Sequence, residues 1–142
     1  SYLTFEALEA VNFLEKNYNI KCDLIDLRSI KPLDWKTIKN SLKKTKRVLV
    51  LDTGHDTGSV ASDIISKIVT DYTINLKSRP KKLAMPDFPE PTSFALTRNF
   101  HITSKEIIEV ILKDLKILKK KNIKFRNKKF HDQPGEWFQG PF

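Results

Sequence analysis

The feature that most constrains the fold is a run of four apolar residues, 48–51, that ends at Asp52. Such a run predicts a strand that is buried on both faces. A small polar loop follows at 53–58, and Ser59 is placed to cap a helix with a wide apolar stripe. Strands buried on both faces are typical of a parallel sheet that is covered by helices on both sides.

Helix and strand patterns alternate before this unit. The first helix is predicted to have Glu6 on its polar side, and its apolar face consists of Ala7, Leu8, Val11 and Leu14. Four of the six residues at 22–27 are apolar, namely Cys22, Leu24, Ile25 and Leu27, and they predict a second buried strand. Asp34 is placed to cap the next helix. The inward face of that helix is predicted to be Trp35, Ile38 and Leu42.

The same alternation continues after it. Residues 82–85 predict a short strand, and the prolines that follow impose an extended segment. Residues 93–98 predict a short helix. Thr103 and Glu106 form a capping box that opens the last helix. Its apolar positions are Ile107, Ile108, Ile111, Leu112, Leu115 and Leu118.

Together these elements predict an α/β fold in three layers, α/β/α, with a mostly parallel sheet. We expect this domain to span residues 1–118. Residues 119–142 are expected to form an extension that is basic at first and then aromatic. Large exposed aromatic side chains usually mark contacts, so Trp137, Phe138 and Phe142 are candidates for an interface.

Charge and composition argue against nucleic-acid binding and against a membrane span. The net charge is +9, but residues 113–131 hold nine Lys or Arg residues against one Asp, while the preceding 112 residues are nearly balanced. Lysine outnumbers arginine 21 to 5, although arginine is the usual residue for bidentate phosphate contacts. We therefore do not expect nucleic-acid recognition. No apolar run approaches the ~18 residues of a membrane span.

The loop after the buried strand is the best candidate site, with Asp52, Gly54, His55, Gly58 and Ser59 as its candidate residues. It lies where open α/β sheets bind ligands, and helix-terminal amides there can hold an anion. Its glycine spacing matches neither a dinucleotide fingerprint nor a phosphate loop. A structural turn, a ligand loop and a subunit contact all stay open.

Other chemistry is not expected. No histidine has a cysteine or carboxylate partner at metal-ligand spacing. The single cysteine, Cys22, excludes a disulfide framework and is interpreted as a core residue. Arg28 is expected to pair with Asp26 or Asp34 rather than with a ligand.

Three stretches resemble one family when they are taken together. They are DLRSIKPLD at 26–34, KKTKRVLVLDTGHDTGSVASDI at 43–64 and PDFPEPTSFAL at 86–96. Their order and spacing resemble the C-terminal domain of transketolase-like enzymes. The greatest similarity is to the beta subunit of the first component of 2-oxoacid dehydrogenases, over about residues 1–116.

The resemblance implies a domain of a pyruvate or branched-chain 2-oxoacid dehydrogenase that is catalytically silent alone. Thiamine diphosphate and Mg would be bound by domains that are absent here, so no catalytic, cofactor or metal residue is assigned. Implied partners are an alpha subunit, a second beta subunit and the lipoyl acyltransferase core, in the bacterial cytoplasm or an organellar matrix. The implied work of the domain is subunit assembly.

The resemblance also implies a missing first strand inside the sheet, and therefore a fragment of a longer chain. Two alternatives stay open. One is a stand-alone interaction module of the same fold. The other is a domain of a transketolase, a 1-deoxyxylulose-phosphate synthase or a 2-oxoacid:ferredoxin oxidoreductase.

Overall fold

The computed structural model describes residues 2–97 and 100–118. Within them it contains four helices and two strands. In chain order these are α1 (Tyr2–Tyr18), α2 (Trp35–Thr45), β1 (Leu49–His55), α3 (Val60–Thr70), β2 (Lys81–Met85) and α4 (Ser104–Asp114). β1 and β2 pair in parallel, with Leu49 opposite Lys81 and Leu51 opposite Leu83. The α/β class is confirmed.

β1 distributes its side chains between two apolar clusters on opposite faces, as the alternation of a strand requires. Leu49 and Leu51 pack against the first cluster, and Val48 and Val50 pack against the second. Helices α1 and α4 form the first cluster together with Met85, Phe100 and Ile102, whereas α2 and α3 form the second. The predicted three-layer arrangement therefore describes the observed packing.

The predicted helix starts are confirmed. The Asp34 side chain accepts a hydrogen bond from the amide of Thr37 at 3.1 Å. Ser59 caps α3, and Thr103 and Glu106 form the predicted capping box at the start of α4. Each cap satisfies amides that the first turn of a helix leaves without partners.

The predicted face of α1 is wrong by part of a turn. Leu8, expected to be buried, is 46% exposed, and Glu6, expected on the polar side, is fully buried. The buried positions are Leu3, Glu6, Ala7, Ala10 and Leu14. Glu6 is buried because its Oε2 atom accepts a hydrogen bond from the amide of Ser104 at 2.7 Å, at the start of α4. A helix N-terminus favours a carboxylate there.

The predicted strand at 22–27 is also wrong: the segment is neither helix nor strand. Among the described residues the sheet consists of β1 and β2 alone. A strand assignment needs a hydrogen-bonded neighbour, and apolar composition alone does not supply one.

Three smaller boundaries differ from the predictions. β1 continues to His55, past its predicted end at Asp52, through a register irregularity between Leu51 and His55. Within the predicted helix at 93–98, the described residues 93–97 form a turn in which the amide of Leu96 donates to the Ser93 carbonyl at 2.9 Å. α4 ends at Asp114, and Leu118 is 90% exposed.

The described residues include no helix long and apolar enough to span a membrane. The predicted extension at 119–142, with Trp137, Phe138 and Phe142, lies outside the described residues. Its separation from the domain therefore stays a prediction.

Candidate functional site

The candidate loop lies at the carboxyl end of β1, between that strand and the first turn of α3. Asp52 joins the two elements, because its Oδ1 atom accepts from the amide of Gly54 at 2.8 Å and its Oδ2 atom accepts from the amide of Ala61 at 3.0 Å. Gly58 has a φ of +69°, a left-handed conformation that glycine adopts without strain. The next residue, Ser59, is buried and caps α3.

Lys82, on β2, links that strand to the loop through hydrogen bonds. Its Nζ atom donates to the carbonyl of Asp56 at 2.6 Å and to the Ser62 hydroxyl at 2.8 Å. The same atom lies 3.0 Å from the Asp56 carboxylate. One half-buried ammonium group therefore connects the loop, the helix start and the second strand.

Asp87 links the loop to the proline segment that follows β2 through hydrogen bonds. Its carboxylate accepts from the amide of Thr57 at 2.8 Å and from the Thr57 hydroxyl at 2.6 Å. These hydrogen bonds favour the ionised form, so the pKa of Asp87 is lowered; Thr57 is the main cause, and the charges of His55 and Lys82 add to it. The Nδ1 atom of His55 lies 2.8 Å from the carbonyl of Pro86.

A shallow hollow of about 320 Å³ opens over this junction. It is lined by His55, Thr57, Asp87, Phe88 and Pro89. Its polar atoms are largely used in the hydrogen bonds just described, and the amides of Ala61 and Ser62 already have side-chain acceptors. The arrangement holds the carboxyl edge of the sheet in one conformation and presents the half-exposed ring of Phe88 outward.

Sequence reasoning found the loop but missed Lys82 and Asp87. Lys82 is 26 residues from its partner Asp56, and Asp87 is 30 residues from Thr57. No local pattern marks contacts of that separation. The prolines and the family resemblance both mark the segment that contains Asp87, but neither points to Asp87 itself.

The remaining candidates have structural partners. Burial raises the pKa of the Cys22 thiol, and the charges of Asp23 and Glu15 raise it further, as expected for a core cysteine. Arg28 pairs with Asp26 at 3.1 Å. Across 2–97 and 100–118, no three His, Cys, Asp or Glu side chains are grouped as metal ligands.

Comparison with known proteins gives a consistent result. The sequence model of the family described as "Transketolase, C-terminal domain" matches residues 1–107. "Pyruvate dehydrogenase E1 component subunit beta" of Rickettsia conorii is 36% identical over 107 residues, which are 75% of this chain and 32% of the relative. "Acetoin:2,6-dichlorophenolindophenol oxidoreductase subunit beta" of Bacillus subtilis is 35% identical over 107 residues, 75% of this chain and 31% of the relative.

A third relative is "2-oxoisovalerate dehydrogenase subunit beta, mitochondrial" of Dictyostelium discoideum. It is 37% identical over 87 residues, which are 61% of this chain and 24% of the relative. The chain spans about a third or less of the length of the curated relatives it matches. The residues 1–107 that the family model matches include the candidate loop, both strands and the proline segment.

Proposed function

The chain belongs to the transketolase C-terminal domain family, and from this we propose that it is the C-terminal domain of the beta subunit of a 2-oxoacid dehydrogenase. The observations that carry the proposal are the match of the family model to residues 1–107 and the 36% identity to a beta subunit over 107 residues. The α/β architecture agrees with it. In the whole enzyme the reaction would be the oxidative decarboxylation of a pyruvate-type or branched-chain 2-oxo acid, with acyl transfer to lipoate.

The described residues do not fit a site for thiamine diphosphate or Mg²⁺. They contain no group of metal-ligating side chains, and the carboxylates of Asp52 and Asp87 accept hydrogen bonds from the chain's own groups. We therefore assign cofactor binding to other domains and derive no catalytic step from these residues. Location in the bacterial cytoplasm or an organellar matrix is part of the same proposal.

The contribution proposed for this domain is subunit assembly with an alpha subunit and a second beta subunit; docking to a lipoyl acyltransferase core belongs to the same proposal. Exposed apolar side chains in the proline segment support it: Phe88 and Phe94 are each 51% exposed, and Leu96 is 67% exposed. Neighbouring exposed apolar groups usually mark contact surfaces. The candidate loop lies beside Phe88. Trp137, Phe138 and Phe142 stay candidates for the same role.

An activity assay tests the proposal. The full-length gene product is purified with the subunit that accompanies it and is supplied with thiamine diphosphate and Mg²⁺. We expect decarboxylation of pyruvate or 2-oxoisovalerate that stops when thiamine diphosphate is omitted. Activity on sugar phosphates instead would favour the transketolase alternative. A native gene product of only 16.5 kDa would favour the interaction module.

A second experiment tests the assembly role separately. The double variant Phe88→Ser and Phe94→Ser is compared with Tyr72→Ser, which changes a residue that is 98% exposed just after α3. Sedimentation of the full-length beta subunit with its alpha subunit should show dissociation for the double variant only. Equal sedimentation of the two variants would contradict a contact at the proline segment.

A further inference from the structure

Lysine and arginine residues are concentrated at one end of the sheet, where its two parallel strands begin. Arg47 shortly precedes β1, and Lys81 is the first residue of β2. Lys77 lies at the same end, because its amide donates to the Lys46 carbonyl at 2.8 Å. We call this end of the domain the basic end. Its Lys and Arg residues are Lys43, Lys44, Lys46, Arg47, Lys77, Arg79, Lys81, Lys113 and Lys116.

Two helices end at the basic end. α2 ends at Thr45 and leads almost directly into β1. α4 ends beside Arg47, whose guanidinium donates to the Asp114 carboxylate at 2.7 Å. Helices that cover a parallel sheet run antiparallel to its strands, so their carboxyl ends gather where the strands begin. The last turns of α2 and α4 therefore add further lysines to this end, at 43–44 and at 113–116.

The charge of the basic end comes from placement rather than from composition. The described residues hold 18 Lys and Arg against 15 Asp and Glu, so their total charge is nearly balanced. Half of the 18 lie at the basic end. Two acidic residues that border it, Asp23 and Asp114, are already paired with Lys44 and Arg47 at 2.7 Å each. The fold therefore gathers cations that the sequence distributes along the chain.

Seven of these nine cations are exposed, and among the described residues no carboxylate forms an ion pair with them. They are Lys43, Lys46, Lys77, Arg79, Lys81, Lys113 and Lys116. Helix carboxyl ends attract cations, but each carries only about half a negative charge. The ends of α2 and α4 therefore offset about one of the seven charges. An acidic partner would neutralise the rest and relieve their mutual repulsion.

The carboxyl end of the sheet has the opposite character. Lys82 lies there, and its ammonium group is already paired with the Asp56 carboxylate at 3.0 Å. The domain therefore has a positive and a negative end, and long-range attraction brings an acidic partner to the positive one. The candidate loop and the proline segment lie at the negative end. Its acidic residues are Asp52, Asp56, Asp63, Asp87 and Glu90.

Exposed apolar side chains beside the basic end favour a protein partner over a nucleic acid. Ile117 is 38% exposed and Leu118 is 90% exposed, directly after Lys116. The amide of Ile117 donates to the Leu112 carbonyl at 2.9 Å, which holds this segment against the end of α4. A phosphate backbone has no apolar groups to cover these side chains, whereas a polypeptide supplies carboxylates and apolar groups together. Six of the seven unpaired cations are lysines, although arginine is the usual residue for bidentate phosphate contacts.

We propose that the basic end is a docking surface for an acidic segment of a partner protein, in which Asp or Glu residues are interspersed with apolar ones. The carboxylates of that segment contact the lysines around the starts of β1 and β2, and its apolar side chains cover Ile117 and Leu118. This inference does not rest on the reaction proposed above. It is also separate from the contact proposed at the proline segment, which lies at the other end of the sheet.

Binding of labelled probes to the full-length gene product tests the proposal. The first probe is a short peptide of Glu-Glu-Leu repeats. The comparison probes are a peptide of Glu-Glu-Ser repeats and a single-stranded oligonucleotide of equal charge. Fluorescence anisotropy should show that the Glu-Glu-Leu peptide binds about threefold or more tightly than either comparison probe, and that high salt weakens its binding. Tighter binding of the oligonucleotide, equal binding of the two peptides or no binding of the Glu-Glu-Leu peptide would each overturn the proposal.

A matched pair of double variants locates the binding surface. Lys77→Glu with Arg79→Glu reverses two exposed charges at the basic end, whereas Lys36→Glu with Lys105→Glu reverses two exposed charges in the first turns of α2 and α4. We expect the first pair to weaken binding of the Glu-Glu-Leu peptide about tenfold or more, and the second pair to weaken it less than about threefold. Equal weakening would mean that the peptide responds to net charge alone and would overturn the proposal. Binding that the first pair leaves unchanged but that deletion of 119–142 abolishes would assign the peptide to that extension and would also overturn it.

Discussion

The two edges of β1 are held in different ways. The closed edge, where β1 pairs with β2, has a parallel ladder and is reinforced by Lys82 and Asp87. The open edge, which faces 20–27, has no ladder among the described residues. The segment across it packs Cys22 and Ile25 against the two apolar clusters. At the surface, Asp23 accepts hydrogen bonds from Ser41 at 3.0 Å and from Lys44 at 2.7 Å.

This difference separates two requirements that a sheet must meet. At the closed edge Met85 is buried and residues 82–84 are partly buried, whereas at the open edge Leu24 is 40% exposed. Among the described residues, backbone pairing is present at the closed edge only. The closed edge therefore combines side-chain packing with a hydrogen-bonded ladder, and the open edge has the packing alone.

The largest expected effect comes from deleting a buried side chain at the closed edge. Met85 is 5% exposed at the end of β2 and belongs to the first cluster. We expect Met85→Ala to lower the free energy of unfolding by about 2–5 kcal/mol, because it removes apolar contacts and leaves a cavity. Urea unfolding measures the change.

Two controls make that prediction specific. Met85→Leu keeps most of the volume and should cost less than about 1.5 kcal/mol. Leu24→Ala at the open edge should cost less than Met85→Ala in this chain, because Leu24 is already partly exposed. An equal cost for the two alanine variants would mean that the edges do not differ in burial as described.

The next effect concerns the buried carboxylate that joins α1 to α4. Glu6→Gln keeps an acceptor for the Ser104 amide but removes the charge at the start of α4 and buries an amide group in its place. We expect a loss of about 1–3 kcal/mol in the free energy of unfolding. Glu9→Gln, at an exposed position of the same helix, is the matched control and should be nearly neutral.

Glu6 also shows the limit of sequence reasoning for the fold. Local patterns predicted the class, the layers and three helix caps, because those depend on residues that lie close together in the chain. The register of α1 was wrong because periodicity counts apolar residues, whereas Glu6 is buried by a hydrogen bond to a residue 98 positions away.

Two other predictions show that local patterns do not reveal contacts between distant residues. One is the strand predicted at 22–27, and the other is the candidate loop at 52–59. The side chains of 22–27 pack against both apolar clusters as those of a strand would, but no strand pairs with this segment among the described residues. The loop could be located from the strand before it and Ser59 after it. The hydrogen bonds that Lys82 and Asp87 make to the loop could not be predicted, because these two residues lie 26 and 30 positions further along the chain than their partners.

A smaller effect is expected from Lys82. Lys82→Met keeps the aliphatic stem of the side chain but removes the donor that joins Asp56 and Ser62 at the closed edge. We expect a loss of about 1 kcal/mol in the free energy of unfolding, because these acceptors are near enough to the surface to be rehydrated. Lys81→Met changes the neighbouring exposed position and should be almost neutral. A larger loss for Lys81→Met would contradict the assigned role of Lys82.

The smallest expected effect is on the pKa values of one carboxylate at each edge. The pKa values of Asp23 at the open edge and Asp87 at the closed edge are both lowered. The main cause for Asp23 is its hydrogen bond from the Lys44 ammonium, whereas for Asp87 it is the hydroxyl of Thr57. Lowered values mean that both groups stabilise the fold above their unfolded pKa of about 3.9, and that this stabilisation is lost as the pH falls through their native values.

Salt should therefore affect the two carboxylates differently. The Lys44 side chain is 73% exposed, so its attraction for Asp23 is screened, whereas hydrogen bonds from a neutral hydroxyl and an amide are not. In an NMR titration of the carboxyl carbons, 1 M salt should raise the pKa of Asp23 more than that of Asp87. Lys44→Met should raise only the Asp23 value, and Thr57→Val should raise only the Asp87 value. Equal salt responses would show that both edges are held by the same kind of interaction and would remove the electrostatic part of the contrast between them.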